Sequence, residues 1–101
     1  MNIFKKLKAY LRFREAVRRA NVAHAVDSQR YYVLPSPDGN LIIMNRKNFR
    51  ILRRKGYIDR NAYIKGLEKG CLYCTPYANG TGAMDEDTIK ESRQRYYQML
   101  E

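Results

Sequence analysis

The sequence has 101 residues and a mass of 12.0 kDa, which suffices for one small domain and excludes a second fold or a large cofactor-binding scaffold. Hydrophobic residues make up 45% and charged residues 30%, a balance that indicates a folded chain. Twenty Lys and Arg against ten Asp and Glu give a net charge of +10. The excess lies in residues 1–70, with 17 bases and 5 acids, whereas residues 71–101 hold 3 bases and 5 acids. We therefore expect an anionic partner that meets the first two-thirds of the chain.

The chain has no apolar run of transmembrane length, and lysines interrupt the apolar residues of its first eight positions, unlike the core of a secretory signal. With only two cysteines and one histidine, it offers little for disulfide or metal chemistry. We expect a reducing cytoplasm or a virion, free thiols, no cofactor and no membrane partner.

Residues 2–25 have helical spacing with two offset apolar stripes. A β-hairpin follows, because residues 30–34 and 41–44 are β-prone and residues 35–40 are rich in turn formers. One stripe of the helix comprises Ile3, Phe4, Leu7 and Leu11, and the other comprises Phe13, Val17 and Ala20.

After the hairpin, Asn45 is expected to cap a short helix that runs to Lys55, with Gly56 as a left-handed exit. Asp59 is expected to cap a further helix that ends near Gly70. Residues 71–74 follow as a third short strand, 75–83 as a loop, and 85–87 as the acidic start of a final helix. The predicted fold class is α+β, with about four helices around a small antiparallel sheet in a single domain.

The run from Arg46 to Lys55 is the strongest functional feature, since six of its ten residues are basic and none is acidic. Phe49 and Leu52 would face the core while the basic residues point outward. Arginine offers a planar fork for phosphate oxygens, so we favour phosphate contact over a merely solvated helix. The candidate residues are Arg46, Lys47, Arg50, Arg53, Arg54 and Lys55.

A second basic stripe lies on the first helix, where four cations project within a sector of roughly 60°. It is interpreted as further surface for a polyanion, as an amphipathic helix on an anionic membrane, or as the solvated face of a packed helix. Arg14 and Arg18 continue the line of Leu7 and Leu11, and we expect them to be exposed because a buried guanidinium is costly. The stripe consists of Lys5, Lys8, Arg12 and Arg19.

Nine tyrosines accompany three phenylalanines and no tryptophan. Tyr31 and Tyr32 follow Arg30, and in a strand one of the two must face away from the core, where it could stack on a single-stranded base. Core packing is expected for most of the nine tyrosines.

Cys71-Leu72-Tyr73-Cys74 resembles the redox motif of glutaredoxins over four residues only, and Pro76 disfavours the helix that such a motif needs. With His24 as the one further good ligand, a closed zinc site would require a dimer, so we expect two packed, reduced cysteines. His24 lies beside Asp27 on one helix end, which does not form a triad. We predict no enzymatic activity, no catalytic residues and no metal.

Four segments of the chain resemble small uncharacterised proteins of bacteriophages that infect gut bacteria. The segments are 1–12, 30–34, 41–46 and 71–77. The resemblance implies a host cytoplasm or virion, with phage nucleic acid and phage or host proteins as partners. It implies no site residues.

The sequence thus predicts a non-enzymatic nucleic-acid-binding accessory protein of phage origin that contacts DNA or RNA phosphates through the basic helix. The alternative is a virion, assembly or host-factor-binding protein that recognises an acidic protein surface, since tyrosine and arginine are also typical of protein interfaces.

Overall fold

The computed structural model describes residues 1–101 and confirms an α+β fold of four helices and a three-stranded antiparallel sheet. No helix has both the length and the apolar character needed to cross a membrane. In chain order the elements are α1 (Ile3–Asp27), β1 (Tyr32–Pro35), β2 (Leu41–Met44), α2 (Phe49–Arg54), α3 (Ile64–Lys69), β3 (Tyr73–Cys74) and α4 (Glu86–Met99).

The sheet has the order β2-β1-β3, and its two faces are covered by different helices. Val33 pairs with Ile43 and Tyr73, and this face packs against α1 through Ala16 and Ala20. Side chains alternate along a strand, so the neighbouring β1 positions face the opposite side. That side packs against the segment that contains α2 and α3. Its buried residues are Tyr32, Leu34, Met44, Phe49, Ile58 and Cys74.

Helix α1 buries only one of its two apolar stripes. Phe13 is 2% exposed and packs against Tyr96 of α4, and the small side chains of Ala9, Ala16 and Ala20 let the helix approach its neighbours closely. The other stripe stays in solvent, with exposures from 50% to 77%. Its members are Ile3, Phe4, Leu7 and Leu11.

The segment between β2 and α2 corrects the predicted helix start. Asn45 and Asn48 exchange hydrogen bonds, each backbone N–H donating to the other's side-chain oxygen at 2.8 Å. This pairing forms a turn over residues 46–48, so α2 begins at Phe49 and not directly after Asn45. Gly56 has a φ of +83° and provides the left-handed exit that the sequence predicts.

Asp59 does not cap α3, contrary to the prediction. Its carboxylate accepts a hydrogen bond from the Asn61 backbone N–H and holds a turn there, while α3 starts at Ile64 without a side-chain cap. By contrast, Asp85 caps α4 as predicted and accepts from the Thr88 backbone N–H at 2.7 Å.

Candidate nucleic-acid interface

The predicted basic run is divided by the structure into two unequal parts. Arg46 lies in the turn before α2 and forms an ion pair with Glu68 of α3, with 2.9 Å between Nε and Oε1. Lys47 lies near Asp27 and helps to lower the pKa of that carboxyl, after the larger effect of the hydrogen bond from Tyr31. These two cations therefore face carboxylates on neighbouring elements.

The remaining arginines surround a shallow concavity of about 690 Å³, which we call the arginine cluster. Arg50, Arg53 and Arg54 come from α2, and Arg60 comes from the segment beyond the Gly56 turn. Asp59 supplies the one carboxylate in the lining. Four guanidinium groups and one carboxylate give the concavity a local charge of about +3, which attracts anions.

Local structure explains why these arginines point outward together. Phe49 is 6% exposed and anchors α2 to the core, which leaves Arg50 and Arg54 in solvent, whereas Arg53 is half-buried beside Phe49. The Arg53 guanidinium lies 5.0 Å from the centre of the Phe49 ring, a cation–π contact that holds its position. Gly56 then reverses the chain and returns Arg60 to the same surface.

None of the four cluster arginines takes part in an ion pair. Among the 20 Lys and Arg side chains only Arg18 and Arg46 do so, with Glu15 and Glu68 respectively. An unpaired arginine fork can hold two phosphate oxygens with charge-assisted hydrogen bonds. The cluster is thus suited to a ligand with several anionic oxygens.

The basic stripe of α1 approaches this region at one end only. Arg19 lines a small concavity at the β2 edge together with Leu52 and Tyr57, which lie between the cluster arginines in the chain. Arg12 lies in the next concavity along α1, beside Glu15. Lys5 and Lys8 are exposed and lie roughly 16 Å or more further along the helix from Arg19. Arg14 and Arg18 are exposed, which confirms the prediction for both.

The prediction that Tyr32 binds nucleic acid is wrong. Tyr32 is 4% exposed within the core, and this burial raises its pKa to about 12, so its ring offers no face to a base. Tyr31 is half-buried and its hydroxyl donates to Asp27 at 2.6 Å. Four of the nine tyrosines are buried, Tyr31 packs against the core, and four are exposed, so core packing holds for five of the nine. The exposed ones are Tyr10, Tyr57, Tyr63 and Tyr77.

Arg30 organises a second polar site that the sequence did not predict. Its Nη2 donates to the Cys74 sulfur at 3.0 Å and to the Gly82 carbonyl at 3.1 Å, and its guanidinium lies 3.8 Å from the centre of the Tyr77 ring. Its Nε is buried without a partner. The separation of 44 residues between Arg30 and Cys74 hides this contact from local sequence patterns.

Both thiols are free, with Cys74 buried and Cys71 half-buried. The hydrogen bond from Cys71, and then Arg30, lower the pKa of Cys74 to about 6. The same hydrogen bond, together with burial, raises the pKa of Cys71. The His24 ring hydrogen-bonds to the Gln29 carbonyl, 2.7 Å from Nδ1, and no three His, Cys, Asp or Glu residues are grouped as a metal site.

Arg60 is the cluster residue that sequence reasoning omitted from the site. The sequence feature that could have placed Arg60 near α2 is the pair of turn formers Gly56 and Asp59, which return the chain towards that helix. No protein-family model, curated protein or solved structure matches this chain.

Proposed function

We propose that the protein is a non-enzymatic nucleic-acid-binding accessory protein, of phage origin, that acts in the host cytoplasm or in the virion. The arginine cluster binds the phosphate backbone of DNA or RNA. The observation that supports this proposal is the convergence of four unpaired arginines on one concavity that contains a single carboxylate.

A phosphate ligand accounts for this surface better than water does. Eighteen of the twenty Lys and Arg side chains lack a carboxylate within ion-pair distance, so these cations repel one another in the free protein. A polyanion relieves this repulsion and releases its own counterions on binding. With four phosphate contacts, a plot of the log of the binding constant against the log of the salt concentration should have a slope of about −3.6 for duplex DNA and a shallower slope for a single strand.

The proposal is tested with a charge reversal that spares the fold. In the variant Arg50→Glu/Arg54→Glu/Arg60→Glu each altered side chain is exposed, and Arg53 keeps its contact with Phe49. Fluorescence anisotropy with labelled single-stranded DNA, duplex DNA and RNA should show an affinity loss of about a hundredfold or more at moderate salt.

The matched control, Lys5→Glu/Lys8→Glu/Arg12→Glu, changes the net charge by the same amount on exposed positions of α1. We expect it to weaken binding several-fold, through net charge alone. Equal losses in both variants would show that the arginine cluster is not the site. A flat salt response would show that phosphates are not the ligand.

One observation favours the alternative, an acidic protein surface as the partner. Tyr57 is 49% exposed and lies between the arginine cluster and an apolar groove of about 450 Å³ beside the hairpin. An exposed tyrosine next to arginines is typical of protein hot spots. Two results together would favour this alternative. The wild-type chain would show no affinity for polynucleotides, and a purified protein partner would bind the wild-type chain but not the Tyr57→Ala variant.

A further inference from the structure

The exposed apolar stripe of α1 is the largest feature that nucleic-acid binding leaves unexplained. Ile3 is 77% exposed, Phe4 75%, Leu7 55% and Leu11 50%. On an ideal helical wheel they centre about 180° from the buried residues Ala9, Phe13, Ala16 and Ala20, so they point directly away from the core. Contiguous exposed apolar residues of this kind mark a contact surface.

The charge around the stripe identifies its partner. Residues 1–14 contain Lys5, Lys6, Lys8, Arg12 and Arg14 and no acid. A second copy of this surface would bring like charges together, and the nearest carboxylates are already paired, Glu15 with Arg18 and Glu101 with the N-terminal amine, so self-association is disfavoured. A nucleic acid would satisfy the lysines but would leave Phe4 and Leu7 in water.

A bilayer that contains anionic lipid can bury the apolar stripe and pair with the flanking cations at the same time. Apolar side chains on one side of a helix enter the boundary of the acyl chains, while flanking lysines extend to the phosphate headgroups. The apolar part, from Ile3 to Leu11, is about 12 Å long. Arg14 and Arg18 follow on the same line, so the insertion ends at headgroup level.

We propose that the N-terminal part of α1, residues 3–12, is a docking surface for the anionic face of a lipid bilayer. The helix lies parallel to the membrane, with the sheet and the α2–α3 segment on its side away from the bilayer. This interaction is independent of the arginine cluster, which lies on the other side of the sheet. It also revises the expectation that the protein has no membrane partner.

Vesicle sedimentation tests the proposal with the full chain. The protein should sediment with vesicles of phosphatidylcholine and phosphatidylglycerol but not with phosphatidylcholine alone. Phe4→Gln/Leu7→Gln should lower the partition coefficient by about a hundredfold, since each side chain loses its apolar transfer. Because both side chains are exposed, the fold should persist, which circular dichroism checks.

Two comparisons make the result specific. Ile51→Gln/Tyr63→Gln removes two exposed apolar side chains, 49% and 69% exposed, that lie outside α1, and should retain binding within about twofold. The chain has no tryptophan, so Phe4→Trp is a single reporter whose fluorescence should shift to the blue with anionic vesicles.

Several results would overturn the proposal. These are no sedimentation with anionic vesicles, equal losses in the two Gln variants, or an unshifted emission spectrum of the Phe4→Trp reporter in the presence of bound vesicles. A dimer in sedimentation equilibrium that Phe4→Gln/Leu7→Gln abolishes would assign the surface to a second copy. The Arg50→Glu/Arg54→Glu/Arg60→Glu variant should lose oligonucleotide binding but still bind vesicles. This result would show that membrane docking and nucleic-acid binding use different surfaces.

Discussion

Replacing Arg30 by methionine should destabilise the protein by about 2 kcal/mol at neutral pH. The hydrogen bond to the Gly82 carbonyl is worth about 1 kcal/mol, and the bond to the polarised Cys74 sulfur about 2 kcal/mol. The contact with the half-exposed Tyr77 ring adds about 0.5–1 kcal/mol. Removing the buried, unpartnered Nε returns about 1–3 kcal/mol, so the net loss is about 2 kcal/mol.

The same substitution should raise the pKa of Cys74 from about 6, because it removes a hydrogen-bond donor and a positive charge. The hydrogen bond from Cys71 is the larger cause of the lowered pKa and stays in place, so only part of the shift should disappear. Thiolate absorbance against pH measures the titration, and urea denaturation measures the free energy of unfolding.

A double-mutant cycle decides whether the sulfur contact has this role. In a Cys74→Ser background, Arg30→Met should cost less than in the wild type, because the thiolate partner is absent. Arg14→Met is the control, since Arg14 is exposed and remote from the thiols. Equal costs in both backgrounds, with an unchanged thiol titration, would refute the reasoning.

Three further predictions concern the thiols and the glycine turns. Folding lowers the pKa of Cys74 from its ordinary 9.0 to about 6, so the unfolded state binds more protons than the folded state between these pH values. Urea denaturation should therefore show a free energy of unfolding that rises from pH 6 to 9, and this stabilisation should be lost as the pH falls through about 6. Above pH 9 the raised pKa of Cys71 should reverse the trend, and Cys74→Ser should flatten the rise. Gly82→Ala should cost about 1 kcal/mol more stability than Gly56→Ala. Both glycines have positive φ, but only at Gly82 would an added Cβ lie 2.9 Å from the Tyr77 ring. Equal costs of the two variants in thermal denaturation would refute that contact. Cys71→Ser/Cys74→Ser should leave oligonucleotide affinity unchanged, and a loss measured by anisotropy would place the thiols in the binding site.

Local sequence patterns predicted those elements whose determinants lie within a few residues. The hairpin follows from the turn formers at residues 35–40, and α4 follows from Asp85 at its N-terminus. The start of α2 was wrong because Asn45 bonds to Asn48 and forms a separate turn, an alternative that the same residue types allow.

Long-range contacts determined the features that the sequence did not predict. Both stripes of α1 are apolar, and the placement of the sheet and α4 decides that Phe13 is buried and Phe4 exposed. Arg46 meets Glu68 across 22 residues, which removes it from the arginine cluster. Arg60 joins the cluster through a turn whose direction depends on Gly56.

The two proposed surfaces lie on opposite sides of one sheet, which allows both to be occupied at once. The exposed stripe of α1 faces outward from one helical layer, and the arginine cluster belongs to the other. The molecule extends 39 × 30 × 20 Å, so a membrane and a nucleic acid bound on opposite sides are separated by more than the Debye length of about 10 Å at moderate salt. Their mutual repulsion is therefore largely screened.

The protein should consequently carry a labelled oligonucleotide to anionic vesicles that do not bind it alone. Phe4→Gln/Leu7→Gln should abolish this co-sedimentation while free oligonucleotide binding persists. Arg50→Glu/Arg54→Glu/Arg60→Glu should abolish it while the protein still sediments with vesicles. If vesicles and oligonucleotide instead compete for the wild-type chain, one basic surface serves both ligands, and the separation of the two sites by the sheet would be refuted.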